Sequence, residues 1–163
     1  MIFIIESKNH GRHEVLIDDE DWEEFKKYKW KIQKNRNTFY LVRNFTKNRK
    51  QYTIALHRQL TGFNMTDHIN GNGLDCQRLN LRESTIAQNS RNAMKKSNNT
   101  SGYKGVYFNK AVKKWRSQIC INFKDIYLGS FKTKDQAAIA YNIAALKYHC
   151  EFARLNNIME HRI

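Results

Sequence analysis

Asp67-His68-Ile69-Asn70-Gly71-Asn72-Gly73, then Asn80-Leu81-Arg82, then Thr85-Ile86-Ala87-Gln88-Asn89, is the stretch whose reading decides the fold. Asp67-His68 reads as the end of a strand. The Asn- and Gly-rich loop that follows gives a tight reversal, because Gly and Asn accept positive φ. Leu79, Leu81 and the residues after them return as a second short strand. Thr85 with Gln88 three positions on has the spacing of a capping box, so a helix starts there and Asn89 falls near its first turn. A hairpin with a helix packed across it would bring Asp67 and Asn89 together. A carboxylate beside a histidine, opposite a helix-borne amide, can hold one divalent cation and activate one water.

Outward from this stretch the chain is basic. Its 163 residues carry a formal net charge of +14, with 40% hydrophobic residues, enough for one compact domain or two small ones. The charge is unevenly spread: residues 1–24 hold eight acids against two bases, and Ser84 to Lys124 holds nine Lys/Arg and no acid. That distribution favours a polyanionic partner, most simply nucleic acid, over a merely solvated basic surface. No run of eighteen apolar residues occurs and the apolar start Met1–Ile5 is too short for a signal region, so a cytoplasmic protein without a membrane partner is expected. Cys76, Cys120 and Cys150 form no Cys-x-x-Cys pair, which argues against a zinc ribbon. Cys120 and Cys150 are expected as small buried groups in a reducing compartment.

Upstream, Ile2–Ile5 and Glu14–Ile17 read as strands. Asp18 to Asp21 opens a helix whose dipole the acids complement, with Trp22, Phe25 and Lys29 along one stripe. The acids read as a solvated cap more readily than as a metal site. Trp30–Gln33 and Phe39–Arg43 form a hairpin across residues 35–37, Gln51–Ala55 a further strand, and Leu56–Leu60 a short helix closed by Thr61-Gly62. Downstream, Asn92 to Ser101 is polar and basic. Beyond it, strands at Lys104–Asn109, Trp115–Asn122 and Asp125–Phe131 precede a helix capped by Thr133 and Gln136. Trp115 to Asn122 alternates, with Arg116 and Gln118 on one face and Ile119 and Ile121 on the other. Ala137, Tyr141, Ala144 and Tyr148 form the apolar stripe of the helix. The expected architecture is α+β, with a three-stranded antiparallel sheet packed on one helix as the second module.

The motif "LHRQL…DHINGNGLDCQRLNLR…AQNSRN", across roughly residues 50–94, resembles the HNH nuclease motif in its H-N-N form, the ββα-metal fold of phage- and intron-encoded homing endonucleases. The resemblance implies that Asp67 and Asn89 ligate one divalent metal ion, that His68 is the general base, and that Asn80 braces the loop. With Asn in place of the final His of the family name, the ligands are oxygens, which favours Mg²⁺ or Mn²⁺ over zinc. Upstream of the motif, Arg58 is a candidate phosphate contact and His57 a candidate supporting residue. The stretch from Ser101 to Asn156 is similar to the plant APETALA/ethylene-response-factor DNA-binding domain, which implies that Lys104, Tyr107, Asn109, Arg116, Gln118 and Tyr127 face DNA, with Lys113, Lys114 and Lys124 on phosphates. Most base-reading arginines of the plant pattern are missing, so no target sequence carries over. The expected organisation is a nuclease domain at 1–94, a basic linker at 95–101 whose Lys95 and Lys96 lie along DNA, and a DNA-binding domain at 102–163. The expected partner is double-stranded DNA, cut by two chains as a homodimer or in two visits by one. The competing expectation is a non-catalytic DNA-binding regulator with a relic nuclease motif.

Overall fold

A computed structural model describes residues 1–35 and 38–158. The chain is α+β, built of small antiparallel sheets joined by short helices, and it divides into two compact units, Met1–Ile86 and Ala87–Ile163.

In the first unit, β1 (Ile2–Ser7) and β2 (Gly11–Leu16) pair as a hairpin, with Phe3 and Ile5 turned inward. The acidic run that follows makes only a 3-10 turn at Asp19–Asp21 and one α-turn, α1 (Trp22–Phe25). The longer helix expected there stops because Trp30 folds back and its Nε1 donates to Phe25 O at 2.9 Å. Phe25 stacks on Trp30 at 5.7 Å and meets Phe3 at 4.4 Å, while Lys29 stays exposed. Next come β3 (Lys31–Asn35), β4 (Thr38–Lys47) and β5 (Lys50–Ala55), an antiparallel meander in that order. Part of the expected 35–37 turn lies outside the described residues. The short helix α2 (Leu56–Thr61) ends on Gly62, whose φ of 71° is the left-handed conformation that glycine adopts without strain. Finally β6 (Thr66–His68) pairs with β7 (Leu81–Glu83). Leu79, expected in the returning strand, sits instead in a 3-10 turn at Arg78–Asn80 and is 97% exposed. Val15, Ile17, Leu41, Leu56, Leu74 and Cys76 form the centre of the core.

The helix α3 (Ile86–Asn92) has its first residue in the first unit and the rest in the second, which continues as β8 (Val106–Asn109), β9 (Lys114–Ile121), β10 (Lys124–Phe131) and α4 (Lys134–His149). The division at Ile86/Ala87 comes earlier than the expected one after residue 94, and the segment beyond α3 is fastened to this unit. Lys104 Nζ donates to the carbonyls of Arg91, at 2.5 Å, and Ala93, at 2.6 Å. The three strands form one antiparallel sheet ordered β8-β9-β10. Ile119 of β9 and Val106 of β8 pack against alanines and Tyr141 of α4. Thr133 caps α4 with both halves of a capping box formed. The buried stripe of α4 is Ala137, Ala138, Tyr141, Ala144, Ala145 and His149; Tyr148, expected in it, is 41% exposed. Strand β8 starts two residues late because Gly105, at φ 74°, lies directly under the Tyr141 ring, where a Cβ would overlap it. Trp115 packs beside Val106 and meets the Phe108 ring edge-on at 5.1 Å. Cys76 is buried, but Cys120 and Cys150 are exposed, contrary to expectation: Cys120 falls on the outward face of β9 with Arg116 and Gln118. Among the described residues, no helix is long and apolar enough to cross a membrane.

Candidate functional site

The site in the first unit is built on the β6–β7 hairpin. Asp67 lies opposite Arg82 and His68 opposite Leu81. Thr66, Asp67 and His68 are all buried, at 6%, 3% and 5% exposure, which is unusual for three polar residues in a row. The Asp67 carboxylate accepts from Arg82 through its Oδ2, with Nε at 2.9 Å and Nη2 at 2.7 Å. This guanidinium compensates a carboxylate that burial would otherwise make costly.

The loop between the two strands is held by amides. Asn80 Oδ1 accepts from Asn70 N at 2.9 Å, and Asn80 Nδ2 donates to Asp75 O at 2.8 Å and to Asn70 Oδ1 at 3.1 Å. Ile69 N donates to Asn80 O at 2.9 Å, which continues the ladder past His68. Asn70 Nδ2 donates to Asp75 Oδ2 at 2.7 Å, and Gly71 N to His68 O at 2.8 Å. The loop also joins the body of the unit: Gly73 N donates to Thr38 Oγ1 at 2.9 Å, Leu16 N to Leu74 O at 3.0 Å, and Cys76 N to Leu16 O at 2.8 Å. Gly73 lies so close to β4 that a Cβ would overlap Phe39 O and the Tyr40 ring.

Around His68 sits a small aromatic cage. Its ring meets the His57 ring edge-on at 4.8 Å, and Tyr40 lies 5.7 Å from His68 and 5.2 Å from His57. Burial pushes the His68 imidazole down to about 4, against the pull of Asp67 and Asp75. Burial, reinforced by His68 and Arg58, pushes His57 down to about 3. Both rings are therefore neutral at neutral pH, and a neutral ring can accept a proton. Arg58, on α2 one residue after His57, is exposed. Asn89 is placed on α3, in the second unit, and is half-buried.

Asp18, Glu20 and Asp21 place one carboxylate oxygen each within 4.8 Å of the others, a donor set that could hold a metal ion. It is a weak one, because a cation is already present. Arg78 donates to Asp21 through Nη2 at 2.6 Å and Nε at 3.1 Å and pairs with Glu20 at 3.3 Å, while its backbone N–H binds Asp18 at 2.7 Å. The acids thus anchor the turn that leads into β7.

In the second unit, cross-strand pairing puts Tyr107 opposite Arg116 and Tyr127 opposite Gln118, so these four share one face of the sheet. The Arg116 guanidinium lies 5.6 Å from the Tyr127 ring, Tyr127 Oη donates to Ser130 Oγ at 2.8 Å, and Gln118 Nε2 donates to Asp125 at 3.2 Å. Lys113, Lys114 and Lys124 are exposed near the strand ends; Lys95 and Lys96, just beyond α3, are exposed too, and Lys95 Nζ donates to Gly102 O at 3.1 Å. Two expected contacts are committed elsewhere. Lys104 turns its ammonium onto the carbonyls beyond α3, and burial lowers it to about 8. Asn109 Oδ1 accepts from Ala111 N at 3.0 Å and Val112 N at 3.2 Å, which makes it a turn residue.

Reasoning from the sequence missed Arg82, Tyr40 and Asp75. Arg82 was readable in principle: with a hairpin closing on His68 and Leu81, the position opposite Asp67 is Arg82. Tyr40 was not, because its place depends on the meander packing over the loop. No protein-family model matches the chain, and no solved structure matches it.

Proposed function

We propose that the chain is a metal-dependent DNA endonuclease of the HNH type, with the ββα-metal site centred on Asp67 and His68 and DNA affinity supplied by the second unit. The observation that carries this reading is the buried Asp67-His68 pair at the end of β6, held by a loop that Asn80 braces from three sides. Nothing in the packing of a small core calls for two adjacent buried ionisable residues; a reaction at a phosphodiester does.

Asp67 would hold the cation, and a carboxylate is the hard oxygen donor that Mg²⁺ or Mn²⁺ takes. The second ligand, Asn89, rests on the sequence resemblance alone. When bound, the ion would supply positive charge against the developing charge on phosphate and leaving oxygen. His68 accepts the proton of the attacking water. Water oxygen bonds to phosphorus, the P–O3′ bond breaks, the leaving oxygen takes a proton from solvent, and the products are a 5′-phosphate and a 3′-hydroxyl. Asn80 keeps the His68-bearing backbone in register, while His57 and Tyr40 fix the ring. Asp75 is a third brace, accepting from Asn70. In the second unit, Tyr107, Arg116, Gln118 and Tyr127 form the sheet face turned to the duplex, while Lys113, Lys114 and Lys124 contact phosphates.

A second reading, a DNA-binding regulator without catalysis, draws on one observation: Arg82 already gives Asp67 a cation as close as 2.7 Å. Plasmid nicking with Mg²⁺ separates the two. The nuclease reading expects nicking that EDTA stops and that His68→Ala abolishes while DNA binding persists. Nicking unchanged in His68→Ala would refute the assignment.

A further inference from the structure

The hairpin β4–β5 runs past the core of its unit. From the Asn44/Thr53 pair outward none of its residues belongs to the core, and the ladder continues through Phe45/Tyr52, Thr46/Gln51 and Lys47/Lys50. Asn48 and Arg49 close it with φ of 50° and 60°, the doubly positive turn that keeps a two-stranded ribbon narrow and twisted. A free-standing ribbon is marginal in water, and this one is stiffened on one face. Phe45 stacks on Tyr52 at 5.5 Å, and the Arg43 guanidinium lies 3.8 Å over the Tyr28 ring and 5.4 Å from Phe45. Gln59 holds Arg43 Nε at 2.6 Å.

The other face has a different character. Asn44, Thr46, Gln51 and Thr53 are all exposed, all uncharged, and all able to donate and accept hydrogen bonds. Thr53 Oγ1 donates to Asn44 Oδ1 at 3.0 Å and holds that amide in place. At the tip are Lys47, Arg49 and Lys50, none of them in an ion pair among the described residues, and no acid occurs between Phe25 and Thr66.

We propose that the β4–β5 ribbon is a DNA-reading element of the first unit, with Asn44, Thr46, Gln51 and Thr53 on base edges in the major groove and Lys47, Arg49 and Lys50 on the flanking phosphates. A two-stranded ribbon fits a groove about 12 Å wide, and amide side chains are the bidentate partners of adenine. A stacking platform for single-stranded bases fits less well, because the rings of Phe45 and Tyr52 already cover each other and Tyr28 lies under Arg43. The reading face also points the right way. Tyr40, Asn44 and Thr46 alternate onto one face of β4, and Tyr40 is the ring beside His68. At about 3.3 Å per residue, Asn44 and Thr46 lie roughly 13 to 20 Å along the strand from Tyr40, about four to six base-pair steps of 3.4 Å. This last distance rests on the nuclease reading; the ribbon contact itself does not.

The test uses the full chain in EDTA, so that binding is measured without cleavage. The probe is a fluorescent random-sequence duplex of about 30 base pairs, titrated from low to moderate salt. Each lost phosphate contact removes about 0.9 from the slope of log K against log salt, so K47Q/R49Q/K50Q should lower it by nearly three and weaken binding tenfold to a hundredfold at about 0.15 M salt. Asn44→Ala with Gln51→Ala should hold random-duplex affinity within about twofold yet lose preferred base pairs in a selection from a randomised duplex library. All substituted positions are exposed, so unchanged urea midpoints verify folding. The proposal falls if the triple variant keeps its slope and affinity, if the Asn44/Gln51 variant selects the same base pairs, or if the tip variant loses affinity only for single strands. Chains that bind normally but never nick would refute the nuclease and leave the ribbon standing. Ribbon variants that nick a plasmid with unchanged slope and affinity would do the reverse.

Discussion

Gly73→Ala is the most direct probe of the seat on which the candidate site rests. Gly73 has an ordinary φ, so alanine adds no backbone strain there; what it adds is a methyl where Phe39 O and the Tyr40 ring already are. Phe39 O is main chain of β4 and cannot swing aside. The loop must therefore lift off β4 and give up the Gly73 N–Thr38 Oγ1 bond of 2.9 Å, even if Tyr40 also leaves its place beside His68. A lost hydrogen bond costs about 1 kcal/mol and overpacking about 1–3 kcal/mol, so unit 1 should lose about 2–4 kcal/mol. Gly62→Ala is the matched comparison: its φ is 71° and nothing lies within 4 Å of the added carbon, so it carries only left-handed strain, about 1 kcal/mol. The assay is urea unfolding followed by tryptophan fluorescence in a Trp115→Phe background, so that Trp22 and Trp30 report this unit. Adding Tyr40→Ala to Gly73→Ala should recover part of the steric loss but not all, since the Phe39 carbonyl remains. If Gly73→Ala costs no more than Gly62→Ala, the close seat of the loop on β4 is wrong, and so is the route by which it would hold His68.

Burial of His57 makes unit 1 acid-sensitive. Its folded value of about 3 lies below the ordinary 6.5, so its share of stability is complete above pH 6.5 and drains away as pH falls toward 3. At about 1.4 kcal/mol per pH unit, roughly 2 kcal/mol should go between pH 7 and 5, and His57→Gln should flatten the urea-stability profile by that amount in EDTA. Asn80→Ala removes three side-chain hydrogen bonds, so urea unfolding should register a loss of about 2–3 kcal/mol, with nicking lost before DNA binding is. Lys104→Met should destabilise unit 2, read by Trp115, yet leave the salt dependence of DNA binding unchanged; a slope lowered by about 0.9 would show that it does contact DNA.

The parts legible in the sequence are those set by local chemistry. The capping box at Thr133 and Gln136, the alternation along β9 and the glycine stop after α2 depend on neighbours only a few residues apart. The Asp67-His68 strand end was also readable, from the Asn- and Gly-rich reversal that follows it, while the Asn80 brace was implied by the motif resemblance. What failed depended on distant partners. The acidic run looked like a helix N-terminus, but Arg78, sixty positions later, draws Asp18 and Asp21 into a clamp, and Trp30 ends the helix early. Lys104 was placed facing DNA by the motif resemblance, and nothing local signals the carbonyls beyond α3 that its ammonium meets. Tyr148 and His149 both suit a helix face, and only the seat of α4 on the sheet decides which one is buried.

The segregation of charge within the first unit has a kinetic consequence. Glu24 stands at the root of the ribbon, where Gln59 links it to Arg43, and the three tip cations stand at the far end with no acid between Phe25 and Thr66. An electric moment of this kind exerts a torque on any nearby polyanion before contact. The duplex would be turned to arrive tip first, so neutralising the tip should slow association more than it hastens release, and added electrolyte should erase that difference.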